Sequence, residues 1–286
     1  MRKLDVSGYE LIRPIGRGAH STIYQAVSND TGKKVAVKVV RIQGSDEQKF
    51  IGQIRNEYKM GSQLEHPNIV RMYDLNFVRR FLRVSGANLI MELIEGPDLE
   101  RQRQYPVGDL IRFYMQVAMG LQYMHDKNLV HTDIKPNNIV IHHGKTAKIV
   151  DLGIARECGM PTGRVQGTVQ YIAPEQMLRQ KLDQRTDIYN LVAAFYYVFR
   201  GEYLPAPLLP AALNGGGSYK ARRGPIGVRD VAPDVPEDID ELIRRSCLPE
   251  PEQRPQSMHE VIEVLEPHID IGRRSSTVAE IGRAHV

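Results

Sequence analysis

Cysteine is nearly absent from the chain. Cys158 and Cys247 stand far apart, in no CxxC spacing and with no histidine pair near either, so neither a disulfide framework nor a zinc site is suggested. A reducing, cytoplasmic setting is the expectation. Long apolar runs are lacking as well. The opening MRKLDVSGYELIRP holds no apolar stretch of the kind a signal peptide needs, and the longest apolar run, IYNLVAAFYYVF at 188–199, is too short and too polar to cross a bilayer. That run reads as a buried helix, and no membrane segment is expected. Nor is any basic run long enough to make nucleic acid the ligand; 38 Lys+Arg against 34 Asp+Glu leave a net charge of +4. Small anionic ligands remain compatible with so mild an excess. No internal repeat is visible.

What is present can fill either one large domain or two lobes: 286 residues, 42% hydrophobic and 25% charged. From Tyr9 to about Ile94, short alternating or β-branched runs (STIYQAV, KKVAVKVV, NLIMELI) are separated by Gly, Asn and Asp and read as antiparallel strands. One helix is predicted among them, at 46–64, with Phe50, Ile54, Tyr58 and Leu64 on its apolar face and Asp46 and Glu47 in its first turn. From Gly108 onward the period is helical, DLIRFYMQVAMGLQYMHDK being the clearest case. The composition changes at EGP, residues 95–97.

Several short patterns carry chemistry. GRGAHSTIY places Gly16 and Gly18, with Ser21 at a third small position, between two strand patterns. Missing side chains there either let backbone N–H groups approach phosphate oxygens or simply close a hairpin. Lys38 of VAVK lies inside an apolar strand pattern, where its ammonium either meets an anion or snorkels from a sheet edge. Glu57, one turn from Ile54, is such an anion. Further on, HTDIKPNN sets Asp133, Lys135 and Asn138 in a loop before the strand pattern IVI, and Asp151 ends the strand pattern AKIV just before Leu152 and Gly153. An aspartate before glycine forms a turn as readily as it binds a metal.

These patterns and three more, GTVQYIAPE at 167–175, Asp187 in RTDIYN and Arg254 in PEPEQRP, follow one another in the order and at the spacing of a known family. From about Tyr9 to His268 the chain resembles the catalytic domain of eukaryotic-type protein Ser/Thr kinases, in the compact style of the bacterial ones. The resemblance implies an α+β, bilobal protein kinase fold: an antiparallel-sheet N-lobe with one helix over 1–94, a mostly helical C-lobe over 95–268, and a flexible tail over 269–286. It implies transfer of the γ-phosphoryl group of ATP, with Mg²⁺ or alternatively Mn²⁺, to Ser/Thr hydroxyls of protein substrates, the chain itself among them, for which a homodimer would serve.

Roles follow from the same resemblance. Lys38, held by Glu57, would grip the α/β-phosphates under Gly16, Gly18 and Ser21. Asp151 and Asn138 would hold the metal. Asp133 would orient the substrate hydroxyl and accept its proton, and Lys135 would meet the transferring group. Glu92 and Ile94 would hydrogen-bond adenine through their backbones behind the gatekeeper Met91, with Ile23, Ala36 and Val140 around the ring and Asp98 near the ribose. Thr168 and Glu175 would belong to the substrate-docking segment, Glu175 in a buried ion pair with Arg254, and Asp187 would brace the catalytic loop. Lys135 together with Thr168 marks Ser/Thr rather than Tyr kinases, and Ile154 resembles enzymes that prefer threonine.

The departures from the family pattern are informative. Thr132 stands where an arginine often grips an activation-segment phosphate, so control independent of such a grip is expected, while Arg156 or Arg164 remains available to a phosphate on Thr162. Leu152 replaces the usual Phe, and Ser21 the third glycine. Gly61 takes the position of a large apolar side chain that would pack on Leu152, His131 and Met72, so either a hole and a mobile helix are expected, with a Lys38–Glu57 pair formed only with a ligand or partner, or Met60 or Met91 fills the gap. A pseudokinase scaffold is the alternative reading, set against the complete set Lys38, Glu57, Asp133, Asn138 and Asp151; a small-molecule kinase would lack GT…APE. The Gly/Pro-rich stretch 201–236 reads as a loop or docking surface. The tail offers Ser275, Ser276 and Thr277 as autophosphorylation candidates, and the chain reads either as whole or as the cytosolic domain of a longer protein.

Overall fold

In a computed structural model the described residues are 6–18, 20–41, 47–80, 83–205 and 227–269. Much of the loop predicted over 201–236, together with Asp46, Ser275, Ser276 and Thr277, lies outside them. The chain divides into two compact units, one drawn from Met1–Glu95 with Val150–Ala155, the other from Gly96–Ile149 with Arg156–Val286.

Five antiparallel strands build the first unit: β1 (Tyr9–Arg17), β2 (Ser21–Ser28), β3 (Lys34–Arg41), β4 (Met72–Arg80) and β5 (Arg83–Glu92), in the order β1-β2-β3-β5-β4. Pro14 is tolerated in β1 because that strand is an edge and its register with β2 slips on either side of it. Alternation along β3 gives the sheet two distinct faces. Val35, Val37 and Val39 join Val6, Ala26 and Ile90 in a buried cluster roofed by Tyr9, Leu11, Tyr24 and Tyr73. Each buried Val or Ile side chain there contributes about 1.5–3 kcal/mol. Ala36 and Lys38, on the other parity, point the opposite way. Cross-strand register sets Ile23 opposite Lys38, Gly16 opposite Ile23, and Met91 opposite Ala36, so these five share the second face.

Helix α1 (Glu47–Gly61) belongs to the same unit and differs from its sequence prediction in two ways. It ends at Gly61, with Leu64 buried just beyond it in a turn closed onto the Gly61 carbonyl. Its buried face is Ile51, Ile54, Glu57, Met60 and Gly61, whereas Phe50 and Tyr58 are only half-buried. The predicted hole at Gly61 is absent. A Cβ built there would lie 2.5 Å from Met72 Cγ and 3.1 Å from Leu152 Cδ1, so it is Met72, and neither Met60 nor Met91, whose side chain takes the space.

The second unit is largely helical. Its long helices are α2 (Val107–Asp126) and α4 (Gln184–Arg200); shorter ones are α3 (Pro174–Met177), α5 (Glu237–Ser246) and α6 (Met258–Leu265). The apolar run at 188–199 lies in α4, which is buried without a break from Thr186 to Val198, as a helix apolar on all sides must be. Asp183 caps its start, accepting from the Arg185 N–H at 2.9 Å. Tyr114 of α2 stacks on Phe195 of α4 with ring centroids 4.7 Å apart. Two small ribbons, β6 (Leu129–Val130) with β9 (Arg156–Glu157) and β7 (Ile139–His142) with β8 (Thr146–Ile149), frame the loop 131–138. Among the described residues no helix is long and apolar enough to cross a membrane.

Candidate active site

On the second face of the five-stranded sheet, Lys38 meets two acids. Its Nζ lies 2.7 Å and 2.9 Å from the two carboxylate oxygens of Glu57 and 3.5 Å from Asp151 Oδ1. The Lys38–Glu57 pair, expected to await a ligand or partner, is already formed. Burial works against the charge on Lys38, but the carboxylates of Glu57 and Asp151 outweigh it and raise the ammonium's pKa above its ordinary value. Asp151 has φ 64, a left-handed backbone that turns its carboxylate outward, and its side chain is 47% exposed. Beside Glu57, Asn56 donates through Nδ2 to the carbonyls of Gly153 (3.2 Å) and Ala155 (2.9 Å), binding α1 to the DLG turn. The sequence reading missed Asn56, since an amide next to a paired glutamate is unremarkable in a helical pattern.

The remaining first-unit candidates lie on the strands or, for Gly18 and Ile94, just past the ends of β1 and β5. Ala36 and Met91 are buried, while Ile23, Glu92 and Ile94 are half-buried. The Glu92 N–H is taken by the Arg71 carbonyl at 2.9 Å, so that donor is already engaged. At the hairpin between β1 and β2 the Gly18 N–H donates to the Ser21 carbonyl at 2.9 Å.

In the second unit, Asp133 sits in a closed polar triangle. Lys135 Nζ is 2.8 Å from Asp133 Oδ2, Thr168 Oγ1 donates to Asp133 Oδ1 at 2.8 Å, and Lys135 Nζ donates to Thr168 Oγ1 at 2.8 Å. Asn138 Nδ2 reaches back to the Asp133 carbonyl at 2.9 Å, which leaves Oδ1 as that amide's oxygen ligand. Beneath, buried Asp187 accepts from the N–H groups of His131 and Thr132, both at 2.8 Å, and pairs with His125 Nε2 at 2.9 Å. Thr132 is 2% exposed with φ 66, a costly conformation for a β-branched residue that these bonds hold in place. Asp98 and Val140 form an isolated bridge, and the Asp98 carboxylate caps the Arg101 N–H at 2.8 Å.

Glu175 and Arg254 make a buried, two-pronged pair: Nη1 to Oε1 is 2.8 Å and Nη2 to Oε2 is 2.9 Å. Thr162 is 5% exposed, and its hydroxyl is buried with no hydrogen-bond partner among the described residues, so a phosphate could reach it only with that segment displaced. Arg156 donates through Nη2 to Gln166 Oε1 at 2.8 Å, and burial lowers its pKa from the ordinary value. Sequence reading also missed His125 and Gln176; each lies inside a helical pattern where polar residues are commonplace.

A sheet carrying a Lys–Glu–Asp cluster and a helical unit carrying an Asp–Lys–Thr triangle define a kinase-like protein. The protein kinase domain matches residues 9–264, and the chain belongs to that family. It is 32% identical over 257 residues to the serine/threonine-protein kinase PknA of Mycobacterium tuberculosis, covering 87% of this chain and 58% of that protein. It is 31% identical over 274 residues to the serine/threonine-protein kinase pkn2 of Myxococcus xanthus, covering 90% of this chain and 32% of that one. A PknA of Corynebacterium glutamicum is 32% identical over 209 residues, covering 70% and 45%. The chain thus spans between about a third and three fifths of the length of these relatives.

Proposed function

We propose that this chain is an ATP-dependent protein kinase that phosphorylates serine and threonine hydroxyls of proteins, its own included, in the cytosol. The observation that carries the reading is the triangle of Asp133, Lys135 and Thr168. A carboxylate already accepting a threonine hydroxyl at 2.8 Å is built to accept a hydroxyl hydrogen.

Phosphoryl transfer asks the protein for positioning and charge neutralisation more than for covalent chemistry. Lys38 suits a phosphate pair: its charge is secured by Glu57, and Gly16 lies on the same sheet face. Asp151 offers an exposed carboxylate and Asn138 an amide oxygen, the hard donors that Mg²⁺ or Mn²⁺ prefers. When bound, the ion would offset phosphate charge. Asp133 would take the proton of the substrate hydroxyl as its oxygen bonds to the γ-phosphorus and the bond to the β-phosphate oxygen breaks. Lys135 would offset the charge that develops. Ala36, Ile23 and Met91 supply apolar surface for a purine, and Val140 and Asp98 are assigned to adenine and ribose.

The reading is tested with γ-labelled ATP, Mg²⁺ and a basic protein substrate, comparing the wild type with Asp133→Asn. Label on Ser/Thr in the wild type, lost by a factor of about 10³ or more in Asp133→Asn, is the expected result. Nucleotide binding without any transfer would instead establish the scaffold alternative.

A further inference from the structure

Gln176 follows Glu175 in α3, is 1% exposed, and plays no part in the ion pair next to it. Its amide uses its full hydrogen-bonding capacity of two donors and two acceptor sites. Nε2 donates to the carbonyls of Thr132 (2.8 Å) and Gln166 (3.1 Å). Oε1 accepts from the Ala173 N–H (3.0 Å) and from Asn190 Nδ2 (3.0 Å). Such complete satisfaction in a sealed site fixes the amide's position and orientation.

Two of the four partners adjoin the triangle. Thr132 immediately precedes Asp133, while Gln166 is followed by Gly167 and then Thr168, whose hydroxyl lies on Asp133. Gly167 leaves room for this arrangement: at φ +114, a Cβ would come 3.0 Å from Gln176 Nε2 and 3.2 Å from the Thr132 carbonyl. Together with Asp187 on the Thr132 N–H, Gln176 holds that residue from both ends.

We propose that Gln176 is a positioning residue: its amide ties the backbone before Asp133 to the backbone before Thr168. It thereby orders the segment around Thr168 without the arginine–phosphate contact that Thr132 cannot make. The inference rests on the phosphotransfer reading above. A carboxylate at this position would set two oxygens against two carbonyl oxygens, whereas a protonated carboxyl would restore one donor.

The test compares the wild type, Gln176→Glu and the apolar, similarly long Gln176→Met. Amide hydrogen exchange over 164–168 is measured together with steady-state phosphotransfer, each enzyme first treated with phosphatase and retained only if its melting is cooperative. At pH 8 the expected result is exchange faster by roughly tenfold or more in both variants, with kcat lowered about ten- to hundredfold and the KM for ATP unchanged. On acidification the Gln176→Glu to wild-type ratio of kcat should rise while that of Gln176→Met stays flat. Asp133, Asp187, His131 and His125, which lie around the same backbone, are present in all three proteins, and Gln176→Met serves as the control for them.

Wild-type exchange rates and kcat in both variants would overturn the proposal, as would loss of wild-type activity on phosphatase treatment. A parallel rise of both ratios with acid would do the same. Should the wild type transfer no label at all, the phosphotransfer reading fails separately, and exchange still decides whether Gln176 holds the segment.

Discussion

Met72 fills the space that a side chain on residue 61 would need: a Cβ on Gly61 would stand 2.5 Å from Met72 Cγ. Because Cγ is the near part of that side chain, the methionine cannot yield merely by swinging its terminal methyl. Gly61→Ala should therefore destabilise the protein. The overpacking cost of about 1–3 kcal/mol exceeds the gain of about 1 kcal/mol from alanine in a helix. Urea unfolding of Gly61→Ala, Met72→Ala and the double variant gives the coupling, expected to be favourable because the second change removes the clash left by the first. A more stable Gly61→Ala would contradict this packing.

Glu57→Gln keeps the shape of the pair but removes its charge. Lys38 would then face Asp151 alone among the two acids, at 3.5 Å, and lose its register with α1. A drop of about ten- to hundredfold in kcat/KM for ATP is expected, from the loss of charge-assisted bonds to a buried carboxylate. Steady-state kinetics check it, and wild-type kinetics in Glu57→Gln would refute the role.

The Glu175–Arg254 pair concerns stability. Arg254 is 1% exposed and also donates to the carbonyls of Leu248 (2.7 Å), Pro249 (2.8 Å) and Arg185 (3.0 Å), so removing Glu175 strands a buried guanidinium. Glu175→Ala should cost about 3–5 kcal/mol in denaturant unfolding, and exchanging both members for apolar residues should recover much of that. A change below about 1 kcal/mol, typical of an exposed pair, would show that the pair is not closed to solvent.

Stability should fall on the alkaline side. Burial pushes the Cys247 thiol well above its ordinary 9.0 and the Tyr114 hydroxyl well above its ordinary 10.0. The unfolded chain releases these protons first, so the stabilisation is complete below about pH 9 and declines as pH rises above it. Thermal melting between pH 7 and 11 reads the decline, which Cys247→Ala should lessen. In the native protein Cys247 should not react with a thiol reagent at pH 8; modification before unfolding would count against its burial.

Sheet and helix order were legible in the sequence because period and β-branching report which faces are buried. The buried character of α4 showed in its largely apolar run, and the chemistry-bearing residues showed in their order along the chain. Packing across sequence distance was not legible. The resemblance placed Met72 beside position 61 but did not show that its side chain would fill the space, and the buried face of α1 is centred on Glu57 because Lys38 pairs with it there, an attraction that an apolar period does not register. Gln176 and Asn56 were hidden for a related reason: Asn56 and the Gln176 Nε2 bind backbone carbonyls, which have the same chemistry at every residue.

The six residues Val150–Ala155 belong to the first compact unit although residues 96–149 of the second unit separate them from the rest of it in sequence. On a ribosome adding about 5–20 residues per second, the strands through β5 emerge several seconds before this piece does. During that interval the nascent sheet has neither Leu152 beside Gly61 nor the Gly153 and Ala155 carbonyls that Asn56 binds. Completion of the first unit is thus timed by synthesis of the DLG turn, and a nascent chain halted before residue 150 presents α1 without that anchor.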